Sequence, residues 1–240
     1  MENLDDDEFR KILENPPPQL VRTLRGGLLK EYLQPIESRG LTPLQKSAIV
    51  GTLLGESTLQ FNGGRTPYLK FEYGARLNEE RSYIDFLYGV FADVVGTPPK
   101  PRLKDNKIHS FWFRTFRLKN MLFYANQFYT IDALGKRKKV VPKNIHQMLT
   151  PQALSFWLMD DGSLDTNRNL FHTEGFILSD VKILQQALGR IFHLESAIHK
   201  DNRETGTLYK LSMTRESSKD LRSIVEPYIL PSLRYKLVAL

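Results

Sequence analysis

The feature of this 240-residue chain that most limits its fold is a pair of similar apolar segments. Each begins with Leu-Thr-Pro and ends in a carboxylate, the first running from Leu41 to Glu56 and the second from Leu149 to Asp161. Threonine followed by proline is typical of a helix start, because threonine caps exposed backbone N–H groups and proline needs no N–H in the first turn. The sequence therefore predicts two helices that begin alike and each end in an acid.

Similar patterns follow the two predicted helices. The elements predicted after the first helix are strands at 68–75 and 107–116, a helix between them near 79–95, and a further helix at 120–129. The elements predicted after the second helix are strands near 169–176 and 207–213, a helix between them at 179–192, and a last helix at 216–229. The order helix, strands, helix, strands, helix occurs twice, which indicates an internal duplication.

The acids at the helix ends are the first candidate functional groups. Asp160 and Asp161 lie where the helix dipole and a neighbouring carboxylate both disfavour negative charge, so a cation would stabilise them. Gly51 and Gly55 are four residues apart on one face of the first helix and allow close packing of a second helix. If the two helices pack side by side, Glu56 meets Asp161, and paired carboxylates of this kind suit Mg²⁺.

A simpler interpretation is that each acid ends a helix in solvent and is followed by a turn. For a single Asp-Asp-Gly sequence that interpretation is the commoner one. Here two apolar helices end in an acid and both are followed by predicted strands, so the duplication favours a metal site.

The two segments "LTPLQKSAIVGTLLGESTL" (41–59) and "LTPQALSFWLMDDGSLD" (149–165) resemble the two motifs of the monomeric, double-motif LAGLIDADG homing endonucleases. In the first motif Glu56 stands where Asp is commoner in the family and Ser57 replaces the final Gly. The resemblance implies an α+β fold of two pseudo-symmetric αββαββα halves that form a DNA-binding saddle. It divides the chain into an N-terminal extension (1–40), a first half (41–135), a basic linker (136–148) and a second half (149–240).

The resemblance also implies a chemistry and the residues that perform it. The expected reaction is metal-dependent cleavage of both DNA strands with short 3′ overhangs. Mg²⁺ is the expected cofactor, with Mn²⁺ or Ca²⁺ able to replace it in binding, and its expected ligands are Glu56, Asp161, Gly55 and Asp160. Lys139 and Lys236 match positions from which such enzymes direct a lysine to the cleavage site, where a compact cation can stabilise developing negative charge or order the attacking water.

The polar faces of the predicted strands are candidates for DNA contact. In 68–75, Lys70 and Glu72 share one face while apolar residues share the other. An ordinary solvated sheet face gives the same alternation, so this pattern alone does not establish DNA binding. The candidate DNA-binding residues on strands and loops are Arg65, Lys70, Glu72, Arg76, Lys104, Lys107, His109, Arg114, Lys138, Asn167, Arg168, His172, Lys200, Asn202, Arg203 and Lys210.

The charge of the chain favours a polyanionic partner. Lys and Arg number 34 against 27 Asp and Glu, which gives a net charge of +7. The first eight residues are acidic, and residues 1–40, which pass through three prolines to Arg22, Arg25 and Lys30, are expected to lie outside the core. Expected partners are double-stranded DNA with a long, specific target and, as a further candidate, host intron RNA. One chain holds both motifs, so it is expected to act as a monomer.

Other sites and compartments are limited by residues that the sequence lacks. There is no cysteine, which excludes disulfides and thiolate metal sites, and the five histidines have no zinc-like spacing. No apolar run approaches the roughly 20 residues that span a bilayer and the acidic start is unlike a leader peptide, so no membrane partner is expected. The expected site of synthesis is a mitochondrion or chloroplast, with a bacterial or nuclear-encoded origin left open. The alternatives to the nuclease are an RNA maturase on the same fold and a regulator that only binds DNA.

Overall fold

The computed structural model describes residues 4–61, 65–75, 78–204 and 206–239. They form two compact units. The first comprises the described parts of Met1–Ala48 and Glu56–Ala125, and the second comprises Ile49–Gly55 and the described parts of Asn126–Leu240. In the part of the chain that the structure describes, no helix is both long and apolar enough to cross a bilayer.

The N-terminal part of the chain carries a four-stranded antiparallel sheet between helices. Its elements are α1 (Leu4–Glu14), α2 (Gly26–Arg39), α3 (Pro43–Leu54), β1 (Thr58–Gln60), β2 (Tyr68–Gly74), α4 (Asn78–Val90), β3 (Lys100–Lys104), β4 (Lys107–Arg114) and α5 (Met121–Phe128). The strand order in the sheet is β1-β2-β4-β3.

The C-terminal part repeats this order after a short hairpin. Its elements are β5 (Tyr129–Ile131), β6 (Arg137–Lys139), α6 (Pro151–Asp161), β7 (Gly162–Asp165), β8 (Arg168–Phe171), α7 (Leu178–Phe192), β9 (Ser196–Arg203), β10 (Gly206–Met213) and α8 (Arg215–Val225), followed by 3₁₀ turns at Glu226–Tyr228 and Pro231–Lys236. The strand order β7-β8-β10-β9 matches that of the first sheet. The predicted αββαββα duplication is confirmed, from α3 to α5 and from α6 to α8.

Both motif helices begin where the sequence predicts. At the start of α3, Thr42 and Gln45 bond reciprocally, with each backbone N–H donating to the other side chain at 3.1 Å. At the start of α6, the hydroxyl of Thr150 accepts from the backbone N–H of Ala153 at 3.0 Å. The Leu-Thr-Pro pattern therefore marks two capped helix starts.

In the first unit, strand alternation separates a core face from a polar face. Along β2 the buried residues are Leu69, Phe71 and Tyr73, and the ring of Phe71 stacks on that of Phe113 with centroids 4.7 Å apart. The intervening residues of β2 remain partly exposed on the opposite face. This burial anchors β2 and β4, whose outer face can then meet a ligand.

The N-terminal residues contribute to this core, which corrects the expectation that residues 1–40 lie outside it. Phe9 of α1 is only 1% exposed, and its ring centroid lies 4.9 Å from that of Phe86 in α4. Leu33 of α2 is also buried. The expectation was wrong because an acidic, proline-containing stretch still carries apolar residues at helical spacing.

In the second unit, the last part of α3 packs closely on α6. Every residue of α6 from Gln152 to Met159 is buried. A Cβ atom added at Gly51 would lie 2.5 Å from the Cβ of Phe156 and 2.8 Å from the backbone nitrogen of Trp157. Only glycine fits at that distance, so the predicted side-by-side packing of the helices through small residues is confirmed.

Candidate functional site

The candidate site lies at the ends of α3 and α6. Asp160 and Asp161 are the last two residues of α6, and Gly55 follows the last residue of α3. A Cβ atom added at Gly55 would lie 2.8 Å from the Cγ atom of Asp160, so the backbone of Gly55 lies directly against that carboxylate. Glu56 is the next residue in the chain.

Two lysines bind the carbonyl ends of these helices. The Nζ atom of Lys139 donates to the carbonyl oxygen of Gly55 at 2.8 Å. The Nζ atom of Lys236 donates to the carbonyl oxygen of Met159 at 2.6 Å and to that of Leu158 at 3.4 Å. A cation at a helix C-terminus offsets the negative end of the helix dipole. The two lysines therefore stabilise helix ends that the neighbouring acids destabilise.

A buried asparagine, which the sequence analysis did not single out, holds the segment that carries Lys236. Asn169 is fully buried in β8, and its Nδ2 atom donates to the backbone carbonyl of Lys236 at 2.7 Å. Its backbone N–H donates to the hydroxyl of Ser218 at 2.9 Å. An asparagine inside a strand pattern gives no sequence signal for a partner 67 residues away.

Asp180 holds the segment that carries Lys139, as Asn169 holds the segment that carries Lys236. Its Oδ2 atom accepts from the backbone N–H of Val141, two residues after Lys139, at 3.3 Å. Burial raises the pKa of the Asp180 carboxyl, although the Val141 hydrogen bond and the charge of Lys138 oppose this effect. Asp180 was hidden in the sequence because an acid in the first turn of a helix is common.

The donor atoms at this site fit a hard divalent cation. The carboxylate of Asp161 and the backbone carbonyls of Gly55 and Asp160 are hard oxygen donors, and the carbonyl of Asp161 accepts from the backbone N–H of His172 at 3.1 Å, which fixes the end of α6. Among the described residues, no three His, Cys, Asp or Glu side chains cluster as a closed metal site. Mg²⁺ needs no such cage, since it keeps several waters and uses one or two carboxylates with substrate phosphates.

On the outer face of the first sheet, the predicted Glu72 is surrounded by the predicted Lys70 and by Ser110 and Arg102, which the sequence patterns did not indicate. Glu72 lies 2.5 Å from Nζ of Lys70 and 2.8 Å from both the hydroxyl of Ser110 and Nε of Arg102. Partial burial raises the pKa of Glu72, but bonds from Lys70 and Ser110 and the charges of Lys70 and Arg102 outweigh it, so the pKa is lowered. Arg114 pairs with Lys70 across the strands.

The second sheet also carries a carboxylate that is surrounded by polar and charged side chains. Glu174 lies 3.1 Å from Nζ of Lys210 and 3.5 Å from Nδ1 of His172, whose other ring nitrogen is 2.9 Å from the hydroxyl of Ser163. Burial raises the pKa of Glu174. A hydrogen bond from its own backbone, the bond and charge of Lys210 and the charge of His172 outweigh this effect, so the pKa is lowered. Lys210 and Arg168 line a cavity of about 370 Å³.

The strand register divides the remaining predicted residues of the second sheet between two faces. Lys210 pairs with His199, whereas Lys200 pairs with Tyr209 and Asn202 with Thr207. Because neighbouring residues of a strand point to opposite faces, Lys200 and Asn202 lie on the face opposite Lys210. Arg203 is exposed at the end of β9, and its guanidinium lies 2.7 Å from Asp201.

Several predicted residues lie at hairpin ends or outside the sheets. Lys104 and Lys107 pair at the β3–β4 hairpin end, and the carbonyl of His109 accepts from Ala75 at 3.2 Å. Asn167 lies in the β7–β8 turn with φ 66°. Lys138 in β6 and Arg65 before β2 are exposed. Arg76 lies outside the described residues. The DNA-binding role of all these side chains stays a prediction.

The sequence comparisons identify relatives over most of the chain. The model of the family described as "LAGLIDADG DNA endonuclease family" matches residues 46–221. The DNA endonuclease I-ChuI of Chlamydomonas applanata is 28% identical over 211 residues, which are 82% of this chain and 95% of that protein. The cytochrome b mRNA maturase bI2 of Saccharomyces cerevisiae is 33% identical over 202 residues, 80% of this chain and 46% of that longer protein.

Solved structures support the fold. The homing endonuclease I-WcaI bound to its DNA recognition sequence has a TM-score of 0.75 at 23% identity and covers 99% of both chains. I-DmoI in complex with DNA and Mn has a TM-score of 0.50 at 14% identity and covers 76% of this chain and 96% of its own. These likenesses confirm the α+β fold inferred from the two motifs.

Proposed function

Because this chain belongs to the LAGLIDADG DNA endonuclease family, we propose that it is a homing endonuclease that cleaves both strands of one long, specific DNA target. The observation that carries the proposal is the apposition of Gly55 and Asp160, with Lys139 and Lys236 bound to the two helix ends. This arrangement concentrates the acids and cations that phosphodiester hydrolysis requires. Site-specific cleavage with short 3′ overhangs is the expected outcome.

The proposed metal ligands are Glu56 and Asp161, with Gly55 and Asp160 contributing through the backbone. When bound, divalent ions supply Lewis-acid stabilisation of the charge that develops during phosphodiester hydrolysis. Hard oxygen donors favour Mg²⁺, with Mn²⁺ or Ca²⁺ able to replace it in binding. The relative I-DmoI was solved with DNA and Mn, which supports a divalent metal.

Lys139 and Lys236 act as fixed cations beside the reacting phosphate in this proposal. Their hydrogen bonds to main-chain carbonyls hold each ammonium in place before substrate arrives. A preorganised cation stabilises charge that develops in the transition state without reorganisation at that moment. Asn169 and Asp180 position the segments that carry these lysines.

The outer faces of the two sheets are the proposed DNA surface. Lys70, Glu72 and Arg114 on one sheet and His172 and Lys210 on the other offer donors and acceptors of mixed sign. Such faces suit reading of base edges better than a purely basic surface, which would contact phosphates alone. One chain carries both sheets, so we propose that one protein acts per duplex, and the likeness to a cytochrome b mRNA maturase supports an organellar origin.

RNA maturation is the second candidate function. Its support is the 33% identity to the cytochrome b mRNA maturase, of which this chain covers 46%. A maturase would use the basic surface but would not need the acids at the helix ends. The presence of an acid at the end of each motif helix, Glu56 after α3 and Asp161 in α6, favours the nuclease.

A single cleavage experiment tests the proposed function. The protein is incubated with a plasmid library and Mg²⁺, and linear product that is cut at one unique site is sought. The double variant with Glu56→Gln and Asp161→Asn serves as the matched control. Absence of linear product with Mg²⁺ and with Mn²⁺, together with splicing of an intron RNA, would replace the nuclease by the maturase.

A further inference from the structure

A short segment of the N-terminal region is fixed along the first unit. This strap, Leu20–Arg25, is the last part of the segment that joins α1 to α2. The backbone N–H of Arg22 donates to the carbonyl of Gly96 at 2.7 Å. The Arg22 guanidinium turns inward, with Nη1 donating to the carbonyls of Ala92 at 2.7 Å and Val95 at 3.2 Å. These bonds give the strap a defined position.

That position is contiguous with the first sheet. Val95, which precedes the strap's partner Gly96, forms a β-bridge with Thr115, the residue after Arg114 of β4. Arg25 and Arg114 line one cavity of about 240 Å³ together with Thr115. A ligand on the outer face of β4 therefore meets the strap when it extends past Arg114.

The side chains along this path are cationic. Arg114 pairs with Lys70 on the outer face, and the guanidinium groups of Arg114 and Arg117 each lie 4.9 Å from the ring centroid of Tyr68. Arg117 also lines a larger cavity of about 990 Å³ with Lys30 of α2. The cations form a continuous row from β2 and β4 to the start of α2.

The row is largely uncompensated by acids. Within the described ranges, Arg25, Arg114 and Arg117 form no ion pair with a carboxylate. Glu37 of α2 lines the larger cavity with Arg117, but it pairs with Lys119, whose backbone N–H donates to it at 3.0 Å and whose Nζ atom lies 3.7 Å away. Arg25 and Arg114 are exposed, and Arg117 is half-exposed with Nη1 donating to the carbonyl of Thr66 at 2.5 Å. Arginine's planar fork matches the oxygens of a phosphate, so cations without a carboxylate partner suit a phosphate backbone.

We propose that duplex DNA on the outer face of the first sheet continues past Arg114 onto the strap, and that Arg25 of the strap and Arg117, which follows β4, contact backbone phosphates that flank the target. The proposal rests on the proposed DNA endonuclease function and adds Arg25, which lies outside both motif-bearing repeats, and Arg117, which lies between β4 and α5 of the first repeat. Because phosphate contacts position DNA and carry no direct sequence information, these arginines set the length of DNA required and leave the recognised sequence unchanged.

Binding of duplexes of different length tests the proposal. The probe is the duplex that the wild-type protein linearises in the plasmid library, used at full length and shortened stepwise from either end, with Ca²⁺ in place of Mg²⁺. Arg25→Gln suits the test because Arg25 is exposed and its side chain makes no cap bond to α2. Arg25→Lys keeps the charge. Lys11→Gln is the matched control, since Lys11 is an exposed cation of α1 that lines neither cavity.

We expect the wild type to bind less tightly once one end is shortened past a defined length. Arg25→Gln should bind the full-length duplex as weakly as the wild type binds the shortened one. Its salt dependence should fall by about one unit of log–log slope, the value for one lost phosphate contact. Arg25→Lys should retain the slope, and Lys11→Gln should match the wild type throughout.

Each alternative result has a distinct meaning. Equal affinity and equal salt slope for Arg25→Gln and the wild type at every length would overturn the strap contact while leaving the endonuclease intact. A loss confined to structured intron RNA would assign the strap to RNA and also overturn the proposal. Failure of the wild type to bind any duplex would remove the proposed function and the strap contact together.

Discussion

The Nζ atom of Lys139 donates a hydrogen bond to the carbonyl oxygen of Gly55, the residue before Glu56, at 2.8 Å. The corresponding bond in the second repeat joins Lys236 to Met159, two residues before Asp161. Each motif helix thus ends with a carbonyl bound by a lysine and a carboxylate close by in sequence. The acid and the lysine at each end can be tested separately.

The acids are the first test. Glu56→Gln and Asp161→Asn keep size and most hydrogen bonding but remove the charge that a cation needs. Each should lower the cleavage rate by more than about 100-fold, because about 100-fold is the largest loss typical of residues that only hydrogen-bond to a metal ligand. DNA binding should persist, because repulsion between carboxylate and phosphate is relieved. Single-turnover cleavage and binding assays measure the two effects.

Asp160→Asn is the control for the acids. If Asp160 acts through its backbone carbonyl, its side chain should matter far less than that of Asp161. Equal losses at Asp160 and Asp161 would refute this division of roles. Full cleavage by both Glu56→Gln and Asp161→Asn would remove the nuclease mechanism.

Lys139→Met should separate cleavage from binding. It retains an unbranched side chain and removes the cation at Gly55, so we expect cleavage at saturating DNA to fall about 10²–10³-fold, as for loss of one transition-state donor. Lys138→Met, one residue earlier and exposed, should weaken binding with little change in cleavage at saturation. Normal cleavage at saturating DNA for Lys139→Met, with slow cleavage for Lys138→Met, would contradict the role of Lys139.

Gly51→Ala should destabilise the protein despite the better helix propensity of alanine, which is worth about 1 kcal/mol. The added Cβ would lie 2.8 Å from the backbone nitrogen of Trp157, which cannot move as a side-chain end can. Overpacking of this kind costs about 1–3 kcal/mol. Denaturant unfolding measures the change, and Gly175→Ala, where nothing lies within 4 Å of the new atom, is the control. Unchanged or higher stability for Gly51→Ala would contradict the close helix contact.

Asn169→Ala should lower both stability and cleavage. It leaves the carbonyl of Lys236 without the donor that holds it, and an unsatisfied buried group costs about 1–3 kcal/mol. Cleavage should fall in kcat with little change in KM, because Lys236 is displaced while the DNA surface is intact. Asn202→Ala, on an exposed hairpin, should leave stability unchanged. A loss of stability with normal kcat would reduce Asn169 to a structural role.

Asp180 should make stability depend on pH. Its pKa is raised above the ordinary value of 3.8, so the folded state prefers the protonated carboxyl and loses stability as pH rises from 3.8 through the raised folded pKa. Asp180→Asn cannot ionise and should be more stable than the wild type at neutral pH, with the difference shrinking in acid. Unfolding curves at several pH values measure it, and a difference independent of pH would contradict the ionisation effect.

The sequence could predict what local patterns determine. The starts of α3 and α6 followed from Thr42 and Thr150, because capping involves residues three apart. Strand β2 followed from alternation over a buried face. Six of the described strands escaped the residue patterns: β1, β5, β6 and β7 are only three or four residues long, and β3 and β9 have little or no buried face to alternate.

Some missed features had a usable signal and others had none. The β3–β4 turn has positive φ at Asp105 and Asn106, and an Asp-Asn pair between two strands is a recognisable hairpin signal. The partnership of Asn169 with Lys236 spans 67 residues and depends on how the unit folds, so no local pattern contains it. The core role of Phe9 was hidden by the acids around it.

Helix α3 belongs to both compact units, since Thr42 and Gln45 cap its start in the first and its last turns, with Gly51, pack on α6 in the second. One residue inserted between Ala48 and Ile49 would rotate the last turns of α3 by about 100° about the helix axis and shift them by about 1.5 Å along it. Gly51 would leave its place opposite Phe156, and a bulkier neighbour would enter it. Insertions and deletions should therefore accumulate in the hairpin turns during evolution, while the number of residues from Thr42 to Gly55 stays constant.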